Sequence, residues 1–223
     1  INKQRINKLI MKKLSFTILL SFLCINLISA QGGTNQWDDR NNLSDNQWTL
    51  GFGVNAVNNS DAQFTDLTNM DHWAFNKNPF YISTEASIAN KLRLGAMLSF
   101  NYTSNGTIFE GQTILGEDEG GNNAGYLAFD ISLKYSFLSS DAFEPYLSVG
   151  PGLTHWGDYI TQENPTLEVS PLDTFTLNAG FGCNIWFSSA WGINLNATGK
   201  WGVATEYTNS HQASIGVLYN IKN

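Results

Sequence analysis

Cysteine is scarce in this chain: Cys24 and Cys183 are the only two. Cys24 lies inside an apolar run near the start, so the chain beyond that run holds one thiol and no internal disulfide. Charge is scarce as well, at 14% of residues, with 12 Lys and Arg against 19 Asp and Glu. Lys3, Arg5, Lys8, Lys12 and Lys13 all precede the first acidic residue, Asp38, so the later chain is more acidic than the net −7 suggests. A basic nucleic-acid footprint is therefore absent. Long apolar runs are limited to one, Leu14 to Ile28, short of the roughly twenty residues of a spanning helix. Mean hydropathy is slightly negative, which excludes a helical membrane protein. Glycine (20 residues) and aromatics (13%) are plentiful, as in β-barrels.

Lys12 and Lys13, the apolar run and the small pair Ser29-Ala30 have the order of a secretory signal peptide, expected over residues 11–30. Met11 is then the start, and residues 1–10 an upstream extension. Leu23 stands before Cys24 where a lipoprotein cleavage site wants a small residue, so no lipid anchor is expected. Residues 31–46 are polar and without periodicity, a flexible periplasmic leader, and residues 47–223 form the folded domain.

That domain is organised around Asp173 to Val203. Phe175, Leu177, Ala179, Phe181, Cys183, Ile185 and Phe187 alternate with Thr, Asn and Gly. After Ser188-Ser189-Ala190 the alternation resumes through Trp191, Ile193, Leu195, Ala197, Gly199, Trp201 and Val203. Period two means strands, and these reach the roughly nine to eleven residues that cross a bilayer. An apolar face for lipid and a small polar face for a lumen mark a transmembrane barrel. The same pattern recurs at 47–57, 80–89, 92–103, 125–137, 144–156 and 211–221, which with the organising pair makes eight strands. Their connections alternate long and short, the long ones at 58–79, 104–124 and 157–172. Long extracellular loops and short periplasmic turns are the rule for outer-membrane barrels, so both termini should be periplasmic. Pro151, between Gly150 and Gly152, is expected to mark a bulge in the fifth strand.

Two sets of side chains stand out. Trp48, Phe137, Phe187, Trp191 and Tyr219 fall toward one edge of the apolar band, and Phe80, Tyr102, Phe175 and Trp201 toward the other, as aromatic girdles do. Glu85, Arg93, Asp130, Lys134 and Lys200 face inward, where eight strands leave room only for side chains. Charges so confined should pair and plug the lumen; a gate or narrow ion path is the alternative. His72, His155 and His211 lie near loops or outer strand ends. Ser210 and His211 point to opposite faces, so no hydrolase pairing is read from them. The tip Glu117-Asp118-Glu119 lacks the spacing of a calcium loop. No metal, cofactor or catalytic residue is expected.

With the strands placed, the chain resembles the OmpA-like family of outer-membrane barrels. The likeness rests on Gly51-Phe52-Gly53-Val54-Asn55-Ala56-Val57, Asp71-His72-Trp73, Glu144-Pro145-Tyr146-Leu147-Ser148-Val149-Gly150, Leu177-Asn178-Ala179-Gly180-Phe181-Gly182 and Ser214-Ile215-Gly216-Val217-Leu218-Tyr219. It implies an eight-stranded antiparallel up-and-down barrel with an internal ion-pair network. Many members continue into a peptidoglycan-binding domain; here Asn223 follows the eighth strand directly, so cell-wall tethering is not expected. The reading is a monomeric, non-enzymatic protein of a Gram-negative outer membrane, in contact with lipid and lipopolysaccharide. Its role is structural or adhesin-like, its loops meeting glycans or proteins. A narrow porin-like channel is the alternative, and a lipid-modifying enzyme the third reading.

Overall fold

A computed structural model describes residues 48–59, 67–75, 80–89, 91–138, 142–203 and 209–221. The expected extension, signal peptide and leader lie outside the described residues. Eight long strands follow one another: β1 (Trp48–Asn58), β2 (Phe80–Ala89), β3 (Leu92–Tyr102), β4 (Gly125–Ser136), β5 (Phe143–Trp156), β6 (Leu172–Trp186), β7 (Trp191–Gly202) and β8 (Ser210–Ile221). Each pairs antiparallel with the next, and β8 returns to β1 from Trp48↔Ile221 to Asn58↔His211, closing the barrel. Closure leaves no free sheet edge, so each strand has a ladder partner on both sides.

Alternation decides what each face meets. Along β1, Trp48, Leu50, Phe52 and Val54 are exposed while Thr49, Gly51 and Asn55 are buried. Along β4, Leu127, Phe129, Ile131, Leu133 and Tyr135 are exposed, and Tyr126, Ala128 and Lys134 are buried. The molecule is thus apolar outside and polar inside. Every girdle candidate is exposed, from Phe80 at 38% to Phe187 at 61%, and Trp191 packs on Tyr219 at 4.7 Å between ring centres.

The expected bulge at Pro151 is absent. The ladder to β6 runs through Leu177↔Pro151 unbroken, and the ladder to β4 keeps its register from Asp130↔Gly152 to Leu133↔Val149. Pro151 is exposed on the outer face, and the donor it lacks falls where Ile131 and Ser132 drop out of the β4 ladder. Gly150 lets the backbones stay close: a Cβ there would meet the Ile131 carbonyl oxygen at 2.0 Å. The strand therefore keeps its phase, with Leu153 outside and Trp156 inside. A register shift occurs instead between Ser87 and Ala89, before the tight turn where Lys91 has φ +65°.

Candidate functional site in the barrel lumen

Near the short-turn end, Glu85 of β2, Arg93 of β3, Lys134 of β4 and Glu144 of β5 all point inward and are nearly buried. The Lys134 ammonium donates to Glu85 Oε1, and the Arg93 guanidinium lies 3.9 Å from Glu85 and 3.4 Å from Glu144. Glu144 accepts from Ser136 Oγ at 2.8 Å, Asn184 Nδ2 at 3.2 Å and Trp186 Nε1 at 3.1 Å. Asn194 of β7 donates to Asn184, and Thr49 of β1 to Asn220 of β8. All eight strands therefore reach into this layer. Four buried charges are tolerable because each has an opposite partner; Glu144 has three further hydrogen bonds, and the Lys134 ammonium also lies 4.7 Å from the centre of the Tyr146 ring.

A second, smaller layer lies toward the long loops. Asp130 accepts from Lys200 Nζ at 2.5 Å and Asn178 Nδ2 at 2.7 Å. Lys200 sits 5.7 Å from the centre of the Tyr126 ring, whose hydroxyl donates to Gln212. Gln212 in turn donates to Ser99 of β3 at 2.9 Å. Between the layers is a polar cavity of about 40 Å³, bordered by Tyr81, Ser83, Met97, Ser132, Ser148 and Ser214. That is room for about three waters.

Glu144 is a member of the network that the sequence reading missed. Its inward phase follows from the alternation of Phe143, Leu147 and Val149 along β5.

The long loops are folded over the mouth. Ile108–Phe109 pairs with Gln112–Thr113, Tyr159–Ile160 with Glu168–Val169, and a bridge Ile114↔Thr161 joins the two hairpins. Phe109, Ile114, Tyr126, Trp156, Tyr159 and Val57 form one buried apolar cluster beneath them. Phe109 meets Trp156 edge-on at 4.7 Å and Tyr159 at 4.9 Å. Burial pushes the Tyr159 hydroxyl up to about 12. The signal in the sequence was the apolar spacing of Ile108, Phe109, Ile114 and Leu115 within a stretch otherwise read as polar.

Among the described residues, the loop segments of this cap carry acidic side chains and no Lys or Arg. Segments 67–75, 103–124 and 157–173 contain Asp71, Glu110, Glu117, Asp118, Glu119, Asp158, Glu163, Glu168 and Asp173, and neither Lys nor Arg. Hydrogen bonding with Glu168 holds the Asp158 carboxyl below its ordinary range, and the same contact raises Glu168. The Glu163 carboxylate is held low by its own backbone N–H and that of Thr113, 3.1 Å away. Glu117–Glu119 is an exposed single 3-10 turn. Among the described residues no three His, Cys, Asp or Glu side chains are grouped as metal ligands. His155 pairs with Asp173 at 2.7 Å on the outer face, away from the lumen charges.

No protein-family model and no curated protein sequence matches the chain. Solved structures do. The outer membrane protein OprG from Pseudomonas aeruginosa superposes with TM-score 0.54 at 13% identity, over 80% of this chain and 97% of that one. The chain has the fold of the small outer-membrane β-barrels. The outer membrane protein AlkL, solved in DMPC bilayers, gives 0.52 at 15% identity over 81% and 92% of the two chains. Ail of Yersinia pestis, in complex with the heparin analogue sucrose octasulfate, gives 0.50 at 8% identity over 80% and 100%. At such identities the likeness lies in the barrel itself.

Proposed function

We propose that this chain is an integral outer-membrane protein that conducts no solute and acts through the rim of its loop cap. What supports this is the pair of obstructions, the charged layers in the lumen and the apolar cluster above them, together with described loop segments that carry acidic side chains and no Lys or Arg. The exposed apolar belt meets lipid and lipopolysaccharide, the girdle aromatics sit at its two borders, and the short turns and both termini face the periplasm. Four paired charges completed by polar side chains from the other strands, with a second pair above them, make the lumen a structural one. What remains for contact with the surroundings is the acidic rim, whose field attracts cations and repels anions. Ail binds a sulfated polyanion in its structure; the rim of this chain calls for the opposite partner, a basic polypeptide segment.

Two measurements test this. Single cysteines at Thr113 or Glu163, in a Cys183→Ser background, should react with an impermeant thiol reagent on whole cells; labelling at Ser189 instead would invert the topology. The purified barrel should bind oligolysine in a salt-sensitive way and leave sucrose octasulfate unbound; binding of the octasulfate would sink the partner assignment. For the belt, Leu133→Arg or Leu195→Arg should cost roughly 2–4 kcal/mol, because each faces hydrocarbon. Asn196→Leu, which faces the lumen, should behave differently in the same denaturant titration. The cavity of about 40 Å³ between the two charged layers favours a second reading, a narrow channel. A large, steady conductance of the wild-type protein in planar bilayers would promote it.

A further inference from the structure

The outer wall is not uniformly bulky. On β6, β7 and β8 the outward positions Ala179, Ala197, Gly199 and Ala213 are small and adjacent: Ala197 pairs with Ala213, and Ala179 with Gly199. Phe181 and Trp201 rise on either side, both exposed. The tip of the Trp201 ring lies against Gly199, where a Cβ would come within 2.7 Å of it. Over the depression reaches the segment after β1, with Leu67 and Trp73 on its border. That overhang is tied down: Trp73 and Ala74 pair with Asn58 and Val57, the Ala74 carbonyl accepts from Asn101 Nδ2 at 3.1 Å, and Trp73 Nε1 donates to the Leu67 carbonyl at 3.1 Å. The result is a roofed groove of about 450 Å³ on the outside of the barrel, within the size range of small-molecule sites.

We infer that this groove seats one acyl chain of an outer-leaflet lipid beneath Trp73. The inference rests on the reading of the outer belt as lipid-facing. The groove is continuous with that belt, lined almost wholly by carbon, and opens to hydrocarbon rather than to the lumen, so the molecules that reach it are lipid chains. A second apolar depression of about 590 Å³, bordered by Leu50, Phe52, Ile82, Phe129, Trp191 and Tyr219, also lies on the belt, but no loop residue is among those that line it. In the roofed groove small residues lower the floor while two indoles and a phenyl ring flank it, so a chain gains contact on several sides at once. The polar head would then lie at the height of the acidic rim, which favours a zwitterionic or cation-bridged headgroup over a bare anion.

The test uses the full barrel in vesicles containing phosphatidylethanolamine with a diazirine on one acyl chain, followed by peptide mapping after photolysis. Cross-links to the β7 and β8 peptides and to the Trp73 segment should exceed those at Leu94 and Leu133, on the opposite wall, several-fold. Ala197→Phe, which fills the floor, and Trp73→Ala, which removes the roof, should each bring the ratio to about one. Heat-modifiable mobility reports that each variant is folded; if Ala197→Phe is not, Trp73→Ala decides, because it lies off the barrel wall. Equal labelling of the two walls in the wild type, or an unchanged ratio in the folded variants, overturns the groove and leaves the lipid-facing belt standing. Absence of labelling on both walls overturns the belt and the groove together.

Discussion

At the short-turn end of the lumen, Glu85, Arg93, Lys134 and Glu144 are tied to one another and to polar side chains from every other strand. At the long-loop end a single pair, Asp130 with Lys200, lies beneath an apolar lid built on Phe109, Trp156 and Tyr159. Each end carries an obstruction, and the two rest on opposite physics. The first obstruction is electrostatic: three acids and three bases neutralise one another across the whole lumen, and four of the six charges sit in the lower layer. The second is mostly hydrophobic and belongs to the loops as much as to the barrel. An obstruction made of charges on strands cannot move without the wall; one made of aromatic rings on hairpins can loosen alone.

The largest difference between the ends should appear when one charge is removed from each. Glu85→Ala leaves Lys134 and Arg93 sharing Glu144, and should cost about 3–5 kcal/mol, the usual penalty for stranding buried charge. Asp130→Ala strands only Lys200, which keeps the Tyr126 ring 5.7 Å away, and should cost less. Urea unfolding of the two variants in detergent micelles measures the difference. Equal losses would mean that the lower layer is no more tightly coupled than the upper pair.

Trp156→Ala attacks the other obstruction. Truncating a buried Trp costs about 3–5 kcal/mol, and here the lower end applies because hairpins can collapse into the space. The loss should appear as faster exchange of the Leu115 and Gly157 amides, which bond across the cap to Ile160 and Gly125, while the strand amides at Asn184 and Asn194 stay protected. Simultaneous loss of protection in both places would show that cap and barrel unfold as one unit. Conductance bears on the same division. Glu85→Ala and Trp156→Ala should each remain closed in planar bilayers, because the other obstruction persists, and only their combination should pass small ions. A pore in either single variant would reduce the two closures to one.

The strands and the faces of the lumen charges were legible because period two is local: whether Lys134 points inward depends only on its neighbours Leu133 and Tyr135. The pairing was not legible. Glu85 and Lys134 sit on strands that are not adjacent, and which charges meet depends on how far the strands are staggered around a tilted wall. Glu144 opens the strand read at 144–156, and as its first residue, beside Pro145, it has the alternation on one side only to fix its face. Pro151 misled: it reads as a break, but its missing donor falls at a gap in one ladder that close-packed Gly150 makes harmless. The cap was hidden because Ile108, Phe109 and Ile114 are spaced by turns rather than by strand periodicity, so their burial is settled only when a second hairpin, from 157–171, is laid across them.

The smallest expected effect concerns the rim and separates the cap's two materials. The exposed Glu163 carboxylate accepts the Thr113 N–H at 3.1 Å and thereby links the two hairpins. Because these N–H groups hold its pKa below the ordinary glutamate value, of about 4.3, the link is present above that value and is lost as pH falls through the lowered one. The apolar cluster beneath contains only Tyr159 and Tyr126 as titratable groups, neither of which changes charge on acidification. Acid should therefore loosen the rim and leave the lid seated. Comparing amide protection at pH 7 and pH 3, Thr113 should lose protection while Gly157 keeps it. In Glu163→Gln, whose amide oxygen accepts the same bond without titrating, Thr113 should show no such dependence. Loss of protection at both amides in the wild type would mean that the carboxylate link and the aromatic lid are one cooperative unit, and the division of the cap into an ionic rim and an apolar floor would fall.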